Sequence, residues 1–190
     1  MKKKSIILIS VLVVVILLIG WFWRSYNSLV TASEGVDNQW AQVEVQYQRR
    51  FDLIPNLVAA VKGAMSQEQS VFSDLAAARA NYSGATTVNA KAEAATQVES
   101  SLGRLIAVME NYPELKSTET VQNLMTQLEG TENRVSVERG RFNEEVKSYN
   151  VLIKRFPMNV VSGMFGYPEK AYFQVAAGVE NTPKVDLQLN

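Results

Sequence analysis

The run Ser5 to Trp23, SIILISVLVVVILLIGWFW, holds 19 residues without a charge. Coiled as an α-helix it reaches ~28 Å, close to the ~30 Å hydrocarbon core of a bilayer. On a chain of 190 residues this segment restricts the fold more than any other feature. It predicts one membrane span, and the remainder suffices for one domain of ordinary size, ~100–200 residues. Trp21, Phe22 and Trp23 form an aromatic belt at one boundary, with Arg24 beside them able to extend its charge to the headgroups. A cleaved signal peptide carries a shorter apolar core, ~7–15 residues, ahead of small residues at the cut. The run closes instead on Trp-Phe-Trp-Arg, which favours an uncleaved anchor over residues 5–23. Lys2, Lys3 and Lys4 face a lone Arg24 across it. By the positive-inside rule, residues 1–4 are expected in the cytoplasm and the body outside the membrane.

From Arg24 onward the chain carries 16 basic against 19 acidic residues, a net of −3. A mildly acidic body without a basic block argues against nucleic acid as a partner, because neutralising phosphates needs clustered Lys and Arg. The chain has no cysteine and no histidine. That excludes a thiolate nucleophile, a disulfide framework, Cys/His zinc sites, the Ser-His-Asp triad and the Glu-x-x-His pair of di-iron bundles. A carboxylate site for catalysis, Ca²⁺ or Mg²⁺ stays open, although no D-x-D-x-D-G loop is present. No cofactor is expected.

The body reads as all-α. Val36, Trp40, Val43, Tyr47, Arg50, Ile54, Leu57, Val61 and Ala64 follow a 4-3 spacing, and the register continues through Val71, Leu75, Ala78 and Tyr82. Backward it passes Leu29, Tyr26 and Phe22, so the first helix is expected to grow straight out of the anchor. Asn81-Tyr82-Ser83-Gly84 is a stop, with Thr86 or Thr87 as the next cap. A third helix is expected over about Val88 to Asn111 (Val98, Leu102, Leu105, Val108 or Met109), ended by Tyr112-Pro113. A fourth starts near Ser117 or Thr118 and runs to Phe156. Its stripe is Val121, Leu124, Leu128, Val135, Phe142, Val146, Tyr149, Ile153 and Phe156, and its length should make it overhang one end of a bundle. The expected organisation is therefore an anchor, an up-and-down four-helix bundle over 24–157, and a C-terminal segment over 158–190. That segment opens with the apolar MNVVSGMFGYPEKAYF and closes with GVENTPKVDLQLN, which is expected to be mobile.

Within QYQRRFDLIPNL, from Gln46 to Leu57, two arginines and a proline interrupt the pattern. Proline inside a helix costs ~3 kcal/mol, a penalty that vanishes in a first turn. The cheaper reading ends helix one near Phe51 and opens helix two at Pro55. Arg49 and Arg50 then lie in a last turn, and Asp52 faces a new N-terminus. The alternative is one kinked helix with a solvated Arg-Arg pair. Arg50 falls in the apolar register, so it should have a carboxylate or carbonyl partner.

These residues carry a resemblance. YNSLV at Tyr26 to Val30, WAQVEVQYQRRFDLIPNLVAAVKG at Trp40 to Gly63, NRVSVERGRFNEEVKSYNVLIKRFP at Asn133 to Pro157 and FGYPEKAYF at Phe165 to Phe173 are similar to the LemA family. Phe51 stands where members often have a polar residue. Gly140 replaces a usual basic one, leaving Arg134, Arg139 and Arg141 on the fourth helix. The resemblance implies a single-pass membrane protein with a helical-bundle body, and no particular reaction. Its motif residues, candidates for interaction or for structure, are Tyr26, Asn27, Arg49, Arg50, Asp52, Pro55, Asn56, Arg134, Arg141, Asn143, Tyr149, Asn150, Phe156, Pro157 and Phe165.

Three functions are compatible with this reading. The favoured one is a non-enzymatic, membrane-anchored module that organises or binds envelope proteins or copies of itself, with the lipid bilayer as its first partner. A membrane-tethered sensor or ligand-binding bundle is the alternative. A carboxylate hydrolase using Asp52, Glu144 or Glu145 beside arginines is least favoured, because adjacent Glu144 and Glu145 point in different directions on a helix. MNVVSGMFGY is expected either at the membrane surface or as a cap over the open bundle end.

Overall fold

The computed structural model describes residues 2–173, with side chains from Ser5 onward. The segment GVENTPKVDLQLN lies outside the described residues. Six helices follow in order: α1 Lys2–Val61, α2 Gln69–Gly84, α3 Val88–Met109, α4 Pro113–Lys116, α5 Glu119–Lys154 and α6 Met158–Phe165. There is no strand among the described residues. The all-α class holds, but the count of four is not confirmed, since the single-turn α4 and the two-turn α6 are added.

The chain divides into two compact units. One comprises Met1–Gln42 with Gly140–Tyr172, the other Val43–Arg139 with Phe173. In the first, the apolar residues from Ile6 to Ile19 stand exposed along α1. Further along, Leu29, Val36 and Trp40 are buried, as are Phe142, Val146, Tyr149 and Ile153 from α5 and Val161 from α6. Trp40 meets Phe142 edge-on, with ring centroids 5.3 Å apart. α6 closes at Gly166, whose φ of 70° is in the left-handed region. That conformation lets the Tyr167 amide reach the Ser162 carbonyl at 3.0 Å, the hydrogen bond that terminates the helix.

The second unit joins the later part of α1 to α2, α3, α4 and the earlier part of α5. Asp74 pairs with Arg104 at 3.1 Å and Asn81 with Gln97 at 3.3 Å. The later position on α2 thus meets the earlier one on α3, as in an antiparallel helical hairpin. Thr87 caps α3, its hydroxyl oxygen accepting from the Ala90 amide at 3.2 Å. The expected stripes are buried: Val43, Tyr47, Ile54, Leu57 and Val61 on α1, Val98, Leu102, Leu105 and Met109 on α3, and Val121, Leu124, Leu128 and Val135 on α5.

Pro55 makes no corner. α1 passes through it and ends six residues later. Arg49, Arg50 and Asp52 are therefore mid-helix rather than at helix ends, and Asp52 accepts from Gln48 Nε2 at 2.7 Å. The energetics explain the correction. Stopping before Pro55 would avoid ~3 kcal/mol. Continuing carries Leu57 and Val61 into the core, where both are 0 % exposed. Each such burial contributes ~1.5–3 kcal/mol, so the pair offsets the proline. The reversal comes instead over residues 62–68, where Met65 is fully buried and the expected Ala64 is exposed. Phe156 is also corrected: α5 ends at Lys154, and Phe156 is 83 % exposed rather than part of the stripe.

Candidate functional site

Two groups of polar side chains stand out, one in each unit. In the second unit, Tyr47 on α1, Glu99 on α3 and Arg139 on α5 converge, because Tyr47 and Arg139 lie at apolar-register positions of their helices and Glu99 flanks the buried Val98. The Arg139 guanidinium donates to the Tyr47 hydroxyl oxygen from Nε at 2.7 Å and also from Nη2, which reaches Glu99 Oε1 at 2.5 Å. Aromatic rings enclose this pairing. Arg139 lies 4.5 Å from the Phe173 ring centroid and 5.2 Å from that of Tyr47. Phe51 meets Tyr82 edge-on at 4.7 Å. Nearby on the same helices, Lys91 pairs with Glu44. Arg50, 6 % exposed, donates from Nη2 to Glu132 Oε2 at 3.4 Å, while its Nε and Nη1 are buried without a hydrogen-bond partner. Of the carboxylate or carbonyl partner that the apolar register of Arg50 calls for, the structure supplies the carboxylate of Glu132.

Burial governs the protonation of this group. It pushes the Glu99 carboxyl above the ordinary carboxylate value, against the opposing charges of Arg139 and Arg50. It pushes the Tyr47 and Tyr82 phenols well above 10, with the charges of Glu99 and Glu44 respectively adding to the effect. A raised carboxylate is a feature of catalytic sites. Here its oxygen is held by Arg139 among packed rings, the arrangement of a structural ion pair. Among the described residues no three acidic side chains converge as a metal site would need.

In the first unit the motif residues find one another. Asn150, buried on α5, donates from Nδ2 to the Lys170 carbonyl at 2.8 Å and accepts from the Lys170 amide at 2.9 Å. The Tyr149 hydroxyl donates to the Pro168 carbonyl at 2.9 Å. Lys170 then reaches α1, donating to the Ser33 carbonyl at 3.0 Å and pairing with Asp37 at 2.6 Å. The YN pair of α5 and the GYPEKAY strap after α6 are thus mutual partners. Phe165 sits with its ring 4.7 Å from Tyr26 and 5.8 Å from Phe22.

Other expected residues are dispersed. Arg49 and Arg134 line one open groove of about 420 Å³ with Leu53, Thr126, Gln127, Gly130 and Thr131. Asn27, Asn56, Pro55 and Arg141 are exposed and Asn143 and Pro157 half-buried, as read along their helices. Trp21, Trp23 and Arg24 are exposed where the uncharged run ends. Sequence reading missed Glu99, Glu132, Asp37 and Lys170. Glu132 had a signal, since Arg50 in the apolar register needs a carboxylate or carbonyl partner, but the choice among backbone carbonyls and 19 acidic residues is made in three dimensions.

One helix long and apolar enough to cross a membrane continues into an all-helical body. These features define a membrane-associated helical protein. The model of the LemA family matches residues 39–187, and the chain belongs to that family. Among curated proteins it is similar to magnetosome proteins MamQ 2 and MamQ 1 of Paramagnetospirillum magneticum strain AMB-1. Each is 29 % identical over 196 residues, covering 90 % of this chain and 72 % of the relative. Magnetosome protein MamQ of Magnetospirillum gryphiswaldense is 28 % identical over 174 residues, covering 78 % of this chain and 64 % of the relative.

Proposed function

We propose that the protein is a non-enzymatic, membrane-anchored scaffold or interaction module of the cell envelope, with residues 1–4 in the cytoplasm and the body outside the membrane. One observation carries the reading: the uncharged run and the core stripe of the body belong to a single unbroken helix, α1. A partner bound by the body is thereby tethered to the bilayer. The engagement of Arg139, Glu99, Tyr47, Asn150 and Lys170 with one another supports a structural use of the motif residues over a catalytic one. The similarity to proteins named for the magnetosome supports a place in a membrane assembly. A second reading, a tethered ligand-binding body, is favoured by the groove that brings Arg49 and Arg134 together.

Crosslinking of the intact protein in its own membrane, followed by mass spectrometry, tests the proposal. A self-crosslinked ladder or one recurrent envelope partner is expected. A protein that stays uncrosslinked at every linker length would overturn the scaffold reading in favour of the groove. Reporter fusions at either end of the chain test the orientation independently.

A further inference from the structure

α6, with the sequence MNVVSGMF, carries no charge. Its inner side buries Val161 and Ser162, whose hydroxyl donates to the Ile153 carbonyl at 3.3 Å, so one face serves as a cap. The opposite side remains uncovered. Val160 is 54 % and Met164 68 % exposed, one helical turn apart, and the exposed Phe156 lies just before Pro157, the residue that caps the helix. The position of this face is fixed by Phe165, at the end of α6. Its ring lies 5.8 Å from that of Phe22, between the exposed Trp21 and Trp23 in the last turn of the uncharged run.

We infer that α6 lies in the membrane interface, with Phe156, Val160 and Met164 immersed at the headgroup and acyl boundary beside the anchor. The inference rests on the reading of residues 5–23 as a membrane span. If Trp21 to Trp23 mark the interface, a ring in contact with Phe22 is at the same depth, and the apolar face of α6 continues the lipid-facing surface of the span. Amphipathic segments at this level bury their apolar face ~5–10 Å into the boundary. Arg24 and Arg155, both exposed, flank the two elements in sequence and suit anionic headgroups. The occupant is thus a phospholipid surface. The unit that carries the span thereby gains a second, non-spanning attachment beside it.

Because the chain has no cysteine, single nitroxide labels can be placed without other changes. Val160→Cys and Met164→Cys alter exposed side chains, so folding is retained. The full chain is reconstituted in nanodiscs of phosphatidylcholine and phosphatidylglycerol, and relaxation by oxygen is compared with that by a water-soluble nickel chelate. Ile16→Cys in the run and Val137→Cys on α5 serve as lipid and water references. The expected oxygen-to-nickel ratio at positions 160 and 164 is several-fold above that at 137 and below that at 16. A ratio equal to that at 137, with position 16 still lipid-like, overturns the inference while leaving the anchor intact. A water-like position 16 overturns both. Spectral broadening at 160 or 164 that disappears on dilution with unlabelled protein also overturns it, assigning the face to a second copy.

Discussion

The two units bury polar groups of different kinds. The unit of Val43–Arg139 encloses a charged network, Arg139 with Glu99 and Tyr47, and places Arg50 at 6 % exposure on Glu132. The unit of Met1–Gln42 and Gly140–Tyr172 buries Asn150 and Ser162, neutral side chains bonded to backbone. A neutral amide matched to one backbone amide and carbonyl is complete in itself. A buried guanidinium is not, and the loss of any one partner leaves a charge in low dielectric. The difference teaches that the same long helices use charge where several helices must converge and a neutral clamp where a strap must be held.

Removing Arg139 should have the largest effect on this contrast. Arg139→Met leaves Glu99 and Tyr47 without their donor, and a loss of ~3–5 kcal/mol is expected from breaking a buried pair. Denaturant unfolding of the detergent-solubilised chain measures it, and hydrogen exchange should show the loss among amides of residues 43–139. A change below ~1 kcal/mol would mean that the network is as dispensable as a surface pair.

Asn150→Leu tests the neutral clamp. Two hydrogen bonds to Lys170 disappear and its backbone groups lose their partners, at ~1–3 kcal/mol for each one left buried. Faster exchange and proteolysis are expected at the strap, residues 167–172. Retained protection there would show that Tyr149 and the Lys170 ion pair with Asp37 hold it alone.

The second unit should also respond to pH. A carboxyl whose folded value is raised contributes stability that is fully present below its unfolded value and lost as pH rises through the folded value. For Glu99 that loss begins above the ordinary value of 4.5, so Glu99→Gln should flatten the fall in stability just above it. Tyr47 and Tyr82 act in the same sense at the alkaline end, where stability declines from pH 10 upward. Tyr82→Phe should lessen that decline, as read by thermal unfolding across pH. An unchanged slope in either variant would show that other groups carry the dependence.

The smallest expected effect is at Gly166. Gly166→Ala forces an L residue into the left-handed region at φ 70°, costing ~1–2 kcal/mol. Fraying of α6, detected by exchange at the Tyr167 amide, is the expected signature.

The candidate span, the helical class, most stripe positions and a threonine cap at Thr86 or Thr87 were legible in the sequence alone, because uncharged length, apolar period and a capping oxygen are local properties; that Thr87 is the cap was settled by the structure. Even the need of Arg50 for a carboxylate or carbonyl partner was legible from its register. The course of α1 through Pro55 was not, since a proline penalty known from one residue is outweighed by Leu57 and Val61 entering a core that other helices complete. Nor was the exposure of Phe156, which continues the stripe in period although α5 ends before it. Glu99, Glu132 and Lys170 became partners only through tertiary structure. Pairing of charges in low dielectric depends on which helices meet, and residues 40 to 133 positions apart are joined in the bonds of Arg139, Arg50 and Lys170.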